Sequence, residues 1–271
     1  MTQDLEDVPV RLRATLLHII GACRSDLRFR AVWLQGSLAR GFGDDWSDID
    51  LHVAVEDVQD FDAVECLASL LPLVLADAIP GLPGAFICLT PEWVHIDLNV
   101  HALTDELPGR LPRRVLLDRT ASVSDVPEAG RPASRAFFPG QQAQIFLHFM
   151  GKAVAAVHRA DWIALSDTTV AMRDSLLIPL MLAENGIRAD PGEKRIARHL
   201  NEEQKDSLQR LPAIGLTERD LREAQQALAV EYLTRARRLA DACGAVWPAE
   251  LEQAAKQLWL RELGIHLPDR S

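Results

Sequence analysis

The chain has 271 residues, of which 48% are hydrophobic and 25% are charged, and its formal net charge is −10. This composition is typical of a folded globular protein with room for two modest domains. The acidic balance argues against a long nucleic acid as partner, because proteins that hold one usually have a basic face, and it suits a small cationic ligand. Since no apolar run reaches membrane length and the first residues lack a signal-peptide pattern, we expect a cytoplasmic protein that does not bind a membrane.

The first half of the chain has the periodicities of a small mixed sheet with helices packed on one face. The segment 104–139 is rich in Pro, Arg and Ser, so after one short strand we expect a linker there. In chain order we predict a helix over 9–24, a strand over 30–35, a strand over 50–55, a helix over 60–75, a hairpin over 85–89 and 93–101, and a short strand at 115–117.

From about residue 140 onward only helical patterns follow, and Thr217 has the position of a helix cap. The short basic patch at 235–238 is typical of a solvated helix face. The fold class that we predict is therefore α+β, with a mixed-sheet domain over 1–138 followed by an all-α helical bundle over 139–271. The predicted helices of the bundle cover 140–159, 161–186, 191–210, 217–242 and 248–263.

Residues 36–50 form the most informative segment of the sequence. A Gly36-Ser37 turn stands about a dozen residues ahead of an Asp-x-Asp pair, Asp48 and Asp50. A turn with exposed backbone N–H groups can hold a phosphate. Carboxylates two residues apart on a strand point to the same face, so Asp48 and Asp50 can hold Mg²⁺ against a nucleoside triphosphate.

A third carboxylate lies on a later amphipathic strand. In residues 93–101, apolar residues alternate with His95, Asp97, Asn99 and His101. The strand that begins near Asp50 alternates in the same way. If the two strands share a sheet with their polar faces aligned, Asp97 lies beside Asp48 and Asp50.

These residues resemble the motif of the nucleotidyltransferase superfamily that includes DNA polymerase β, and the resemblance covers about residues 28–101. The family pattern is a Gly-Ser turn, an acidic pair and a later acidic residue on a neighbouring strand. The resemblance implies the nucleotidyltransferase fold and a site for Mg²⁺, with two ions expected, and for a nucleoside triphosphate. The matching residues are Gly36, Ser37, Asp48, Asp50 and Asp97, with Arg40-Gly41 and Ser47 as common extensions of the motif.

The resemblance assigns a role to each matching residue. Asp48 and Asp50 would bind Mg²⁺, and Ser37 with the backbone after Gly36 would hold the β- and γ-phosphates. Asp97 would be a ligand of a second Mg²⁺, the general base towards an acceptor hydroxyl, or both.

Two basic residues are further candidates for the nucleotide site. Lys152 is a candidate phosphate ligand from the helical bundle, and the alternative is a solvated lysine. Arg40 either contacts the triphosphate or braces the turn, and its alternative is a surface ion pair with Asp44 or Asp45.

A mixed-sheet domain followed by a helical bundle is similar to the aminoglycoside and lincosamide nucleotidyltransferases. This likeness depends on architecture and on the regions 151–153 and 159–162. It implies an antibiotic resistance enzyme that transfers AMP from ATP to a hydroxyl of a small, cationic acceptor, as a monomer or a homodimer. The acceptor, the hydroxyl that is modified and the preferred nucleotide are left open by the sequence.

Other interpretations compete with this one. One alternative is a protein- or tRNA-modifying nucleotidyltransferase, like those paired with toxins, although the long helical bundle of this chain differs from the minimal versions of these enzymes. A non-catalytic nucleotide-binding module or an RNA-tailing enzyme is a further alternative. His52, His95 and His101 either face substrate or are structural, and a zinc site is a third alternative. Aromatic rings that could stack a base or a sugar, or else pack, are Trp46, Trp93 and Trp162; acids of the bundle that could bind acceptor amines are Asp161, Asp167, Asp174 and Glu184.

Overall fold

The computed structural model describes residues 5–103, 111–121, 123–127, 135–188 and 195–268. The protein is α+β, and its chain divides into two compact units, Met1–Gly130 and Arg131–Ser271. The roles predicted for domains over 1–138 and 139–271, catalysis and substrate binding, stay predictions. Within the described ranges, no helix combines the length and the apolar character needed to cross a membrane.

The first unit is built on a six-stranded mixed sheet in the order β3-β4-β5-β2-β1-β6. Only the pairing of β2 with β5 is parallel, and the other four pairings are antiparallel. The elements of this unit are α1 Val10–Ser25, β1 Phe29–Leu34, α2 Gly36–Ala39, β2 Ile49–Val55, α3 Ala63–Leu70, β3 Leu75–Ala78, β4 Ala85–Leu89, β5 His95–Ala102 and β6 Arg114–Asp118.

Most of the predicted elements are confirmed, but the helix predicted over 60–75 is wrong in its last part. Asp62 caps α3 by accepting a hydrogen bond from the Glu65 amide. The helix ends at Leu70 because Leu71 precedes Pro72, and a residue before proline is forced out of the helical region. The chain then turns into strand β3, which pairs with β4 at the edge of the sheet.

One face of the sheet carries the hydrophobic core of the first unit. Side chains alternate along β1, β2 and β5, so every second residue points to the same layer. The predicted apolar stripe of α1 is buried in this layer, and α3 contributes Ala63 and Leu67. The core residues from the three central strands are Phe29, Val32, Leu34, Ile49, Leu51, Val53, Val55, Ile96 and Leu98. The opposite face carries polar residues of β2 and β5 beside a small buried apolar cluster that includes Ala31, Trp33 and Ala54.

The described part of the second unit is helical, which confirms the predicted bundle. Its α-helices are α4 Gly140–His158, α5 Trp162–Ala171, α6 Ile178–Glu184, α7 Glu202–Arg210, α8 Glu218–Cys243 and α9 Ala249–Leu263. A π-helical turn, Met172–Leu177, joins α5 to α6, so the helix predicted over 161–186 is one continuous run. The helix predicted over 191–210 is a 3₁₀ turn, Ile196–His199, followed by α7, and its residues 191–194 lie outside the described residues, as do 104–110, 122 and 128–134 of the predicted linker.

Thr217 caps α8 as predicted, because its side chain accepts a hydrogen bond from the Asp220 amide. The basic patch at 235–238 is not simply a solvated face. The Arg235 side chain is only 4% exposed and forms ion pairs with Glu184, Glu203 and Glu231. These carboxylates come from α6, α7 and α8, so Arg235 ties three helices of the bundle together.

Candidate functional site

Two of the predicted carboxylates lie side by side on the face of the sheet opposite the core. Strands β2 and β5 are parallel, and their register pairs Asp50 with Asp97 and Ile49 with Ile96. Neighbouring strands are about 4.8 Å apart, so two side chains of one register pair on the same face are close together. The two strands therefore share a sheet with their polar faces aligned, which is the condition under which the sequence analysis expected Asp97 beside the acidic pair.

Asp48 lies next to His95, one step earlier in the same register. His95 Nδ1 is 3.2 Å from Asp48 Oδ1, and His95 Nε2 is 2.9 Å from Asp97 Oδ1. The second approach lacks hydrogen-bond geometry, so the buried Nε2 atom has no hydrogen-bond partner among the described residues. The imidazole of His95 thus stands between the carboxylates of Asp48 and Asp97.

The Gly36-Ser37 turn lies directly against Asp50. Gly36 has a φ of 60°, in the left-handed region, and a Cβ atom built on it would be 1.8 Å from Asp50 Oδ2. The Gln35 amide donates a hydrogen bond to the Asp50 carbonyl oxygen at 3.0 Å, which fixes the end of β1 against β2. Only glycine fits at position 36, because any side chain would occupy the space of the Asp50 carboxylate. Ser37 follows, half-buried, in the short helix α2.

Arg40 ends α2 and is half-buried beside the turn. Its Nε atom is buried and has no hydrogen-bond partner among the described residues. A buried N–H group without a partner is costly, so a guanidinium in this state is suited to an acceptor that binds there. A contact of Arg40 with the triphosphate stays a prediction, as does the alternative of a surface ion pair with Asp44 or Asp45.

The loop that leads to Asp48 is closed by its own hydrogen bonds. Ser47 Oγ accepts a hydrogen bond from the Asp44 amide at 2.9 Å and lies 3.2 Å from Asp44 Oδ1. The Trp46 amide donates to the same carboxylate at 3.0 Å. Ser47 is buried, and this explains a serine directly before the acidic pair: it fixes the loop from which Asp48 projects.

Arg11 on α1 is a part of the site that the sequence did not reveal. Its guanidinium donates to the carbonyl oxygens of Asp45 at 2.7 Å and Glu92 at 2.7 Å, and to that of Trp93 at 3.2 Å. It also lies over the ring of Trp46, 4.6 Å from the ring centroid. Along the chain, Arg11 is 34 positions away from Asp45 and 81 positions away from Glu92, so no local sequence pattern could have predicted these hydrogen bonds.

His52 and His101 form a structural pair on the same sheet face. His52 Nδ1 and His101 Nε2 are 2.9 Å apart, and both rings stack on the buried Trp33. Burial, with the nearby positive charge of His101 and Arg113, lowers the pKa of His52 to about 3. His52 is therefore neutral at pH 7 and contributes to packing, one of the alternatives that the sequence left open.

The carboxylates fit a hard divalent cation in chemistry but are not arranged as a finished site. Within the described part of the chain, no three His, Cys, Asp or Glu side chains are in position to hold a metal ion. Oxygen donors such as those of Asp48, Asp50 and Asp97 are the kind that Mg²⁺ prefers, and the His95 ring lies against two of the three carboxylates.

The candidate residues of the second unit have other local partners. Asp161 caps α5 through the Ala164 amide, Asp174 pairs with Arg173, and Glu184 belongs to the Arg235 network. Asp167 and Lys152 are exposed, Lys152 on α4. The proposed contact of Lys152 with the triphosphate stays a prediction, as does a role of these acids towards an acceptor.

The sequence matches no protein-family model and no curated protein. Among solved structures, the chain is similar to the crystal structure of an aminoglycoside 6-adenyltransferase from Bacillus subtilis. The two chains share 13% sequence identity with a TM-score of 0.37, over 89% of this chain and 95% of that chain. A likeness at this level leaves the family open, so the functional argument comes from the geometry of the site.

Proposed function

We propose that the protein is an Mg²⁺-dependent nucleotidyltransferase that transfers AMP from ATP to a hydroxyl of a small cationic acceptor, such as an aminoglycoside or lincosamide antibiotic. One observation carries the proposal: Asp50 is paired in register with Asp97 and packs against the glycine of the Gly36-Ser37 turn. A phosphate-binding turn and two carboxylates on adjoining strands are what transfer at a phosphorus atom requires.

The three carboxylates divide the work. Asp48 and Asp50 would hold Mg²⁺, and Asp97 would be a ligand of a second ion, the general base, or both. Bound there, Mg²⁺ would neutralise charge on the phosphates and align the reacting oxygens. Asp97 is in a position to accept the proton of an attacking hydroxyl, because it faces the acidic pair from the neighbouring strand.

The phosphates are held on the other side of Asp50, at β1. The backbone after Gly36 and the Ser37 hydroxyl donate to the β- and γ-phosphates, and the guanidinium of Arg40 adds a charged donor. The strand order β5-β2-β1 supports this assignment, because Asp97 lies on β5, Asp50 lies on β2 and the Gly36-Ser37 turn follows β1. This order suits an in-line attack, with the acceptor on the β5 side and the leaving pyrophosphate on the β1 side.

The negative net charge of the protein supports the proposal of a cationic acceptor. The chain carries a net charge of −10, and the carboxylates of the site add a local negative field that attracts cations. The acidic balance also counts against a long nucleic acid as acceptor.

Mass spectrometry of a reaction with purified protein, Mg²⁺, mixed nucleoside triphosphates and a panel of aminoglycosides and lincosamides tests the proposal. We expect an adduct of one nucleoside monophosphate on a drug, and its mass identifies donor and acceptor together. If no drug of the panel is modified, the proposal of an antibiotic acceptor is contradicted.

Asp50→Asn tests the metal assignment separately. The change keeps the size of the side chain and removes the charge, so we expect the Mg²⁺-dependent part of ATP binding and all transfer to fall by at least about a hundredfold. Asp77→Asn, an exposed acid on strand β3 of the same sheet, is the matched control and leaves both unchanged. If the two variants bind ATP and transfer AMP equally well, Asp50 is not part of the site.

A further inference from the structure

Two exposed tryptophans stand where the two acidic strands begin. Trp46 is 81% exposed and comes two residues before Asp48, and Trp93 is 68% exposed and comes two residues before His95. Two residues of chain span at most about 7 Å between Cα atoms, so both indole rings lie at the border of the acidic site. Large aromatic side chains are normally half-buried or more, and neither ring contributes to a core cluster.

Arg11 holds the two loops in place. Its hydrogen bonds to the backbone at Asp45, Glu92 and Trp93 fix both segments to α1. Its guanidinium covers one face of the Trp46 ring, which leaves the rest of that ring exposed. A surface whose backbone is already fixed loses little conformational entropy when a ligand binds, so this arrangement is prepared for one.

Trp93 is retained at a cost to the local backbone. Its φ is 63°, in the left-handed region that residues with a Cβ atom rarely adopt, and Asn or Gly would fill this turn position more easily. Packing does not explain the choice, because the side chain is mostly exposed. Strained positions of this kind cluster at ligand-binding sites.

We propose that Trp46 and Trp93 form a stacking platform for the nucleobase of the donor triphosphate, which would favour a purine over a pyrimidine. The inference rests on the proposed function. Trp46 belongs to the segment that joins the phosphate-binding turn to Asp48 and Asp50, and the nucleoside is attached to the phosphate that these two residues hold. Planar bases stack on exposed aromatic rings, and a larger purine gains more from this contact than a pyrimidine.

The positive charge of Arg11 favours the nucleobase over the cationic acceptor as the group that binds to the two tryptophans. The guanidinium lies against the Trp46 ring and its described hydrogen bonds go to neutral carbonyl oxygens. A positive charge at this place repels a polycationic acceptor and attracts the anionic nucleotide. A cationic acceptor is therefore expected away from the two indole rings.

Equilibrium binding by calorimetry tests the platform with two probes, Mg-ATP and Mg-tripolyphosphate, on the full-length protein. Tripolyphosphate has the phosphates without the base. For Trp46→Leu and for Trp93→Leu we expect the dissociation constant of ATP to rise about tenfold and that of tripolyphosphate to stay unchanged. Trp46→Phe keeps an aromatic face and retains most of the affinity. Thermal unfolding verifies that each variant is folded.

The outcomes separate this inference from the proposed function. If wild-type protein binds tripolyphosphate and the leucine variants bind ATP as tightly as wild type, the platform is wrong and the proposed function stands. If ATP affinity is unchanged but binding of an aminoglycoside such as kanamycin weakens, the tryptophans serve the acceptor and the inference is also overturned. If wild-type protein binds neither probe, both the inference and the proposed function fail.

Discussion

Asp50 has two roles at the scale of a single residue. Its carbonyl oxygen accepts a hydrogen bond from Gln35, and its carboxylate fills the space where a side chain at position 36 would be. The glycine of the turn is thus required by close approach as well as by backbone conformation. The sequence predicted Gly36 as part of a phosphate-binding turn, and the structure adds that the same glycine leaves room for the Asp50 carboxylate.

Gly36→Ala and Gly41→Ala separate these two requirements. Both glycines have positive φ, 60° and 74°, so alanine costs each variant roughly 1–2 kcal/mol of stability. A Cβ atom at Gly41 meets nothing within 4 Å, whereas one at Gly36 displaces Asp50. We therefore expect only Gly36→Ala to lose Mg-ATP affinity, by at least about tenfold. Calorimetry and thermal unfolding measure both effects, and an equal loss of affinity in the two variants would contradict the displacement.

His52 predicts a dependence of stability on pH. Its pKa lies near 3 in the folded chain and near 6.5 when unperturbed, so between these values the unfolded chain binds a proton that the folded chain does not. Stability is therefore lost as the pH falls through this window, by at most about 1.4 kcal/mol per pH unit for this group. The charged groups that act on His52 are His101 and Arg113, and both are present in the wild type and in a variant of His52.

His52→Gln should flatten the stability profile between about pH 6 and pH 4, measured by urea unfolding at several pH values. The comparison uses slopes, since the substitution changes absolute stability too. His18→Gln, an exposed histidine on α1, serves as control and keeps the wild-type slope. A slope for His52→Gln identical to that of the wild type would mean that His52 titrates normally in the folded protein.

At the scale of elements, the strands were predictable because their period is short and local. Alternation in 49–55 and 95–102 predicted which side chains share a face. It could not predict that the two strands are parallel neighbours in the register that pairs Asp50 with Asp97, since that depends on the whole sheet. The helix predicted over 60–75 is wrong only beyond Leu70, because an apolar run fits helix and strand alike and Pro72 ends the helix.

At the turn before β5, we predict that replacing Trp93 raises the stability of the protein and weakens its binding of ATP. Trp93→Asn puts a residue that tolerates positive φ at a position with φ 63°, and the indole it removes is mostly exposed. We expect the variant to be more stable by about 0.5–1 kcal/mol and to bind ATP more weakly. Trp46→Asn is the matched comparison: position 46 does not have a positive φ, so removing its contact with Arg11 gives no gain in stability. A loss of stability in Trp93→Asn would show that its ring supports the turn.

At the scale of the whole molecule, each unit has its own hydrophobic core, and the second is also held by a buried ionic network. Arg235 Nη1 is 2.9 Å from Glu184 Oε2 and Arg235 Nε is 2.5 Å from Glu231 Oε1. Hydrogen bonds from Ser207 and Arg235 lower the pKa of Glu231 although burial opposes them. The sequence showed only a basic stretch on a helix, because two of the three carboxylates that pair with Arg235, those of Glu184 and Glu203, come from other helices.

Arg235→Ala should therefore be among the most destabilising single changes in the second unit. It leaves the carboxylate of Glu184, which is 13% exposed, and that of Glu231 without their main cation, and breaking a buried ion pair in this way costs about 3–5 kcal/mol. Arg238→Ala removes a neighbouring arginine on the same helix whose side chain is 68% exposed and whose distance to Glu184 is 3.2 Å, so it should cost at most about 1 kcal/mol. Urea unfolding of both variants gives the comparison. A similar small loss in both would mean that solvent screens the Arg235 network, and that the bundle depends on its apolar core alone.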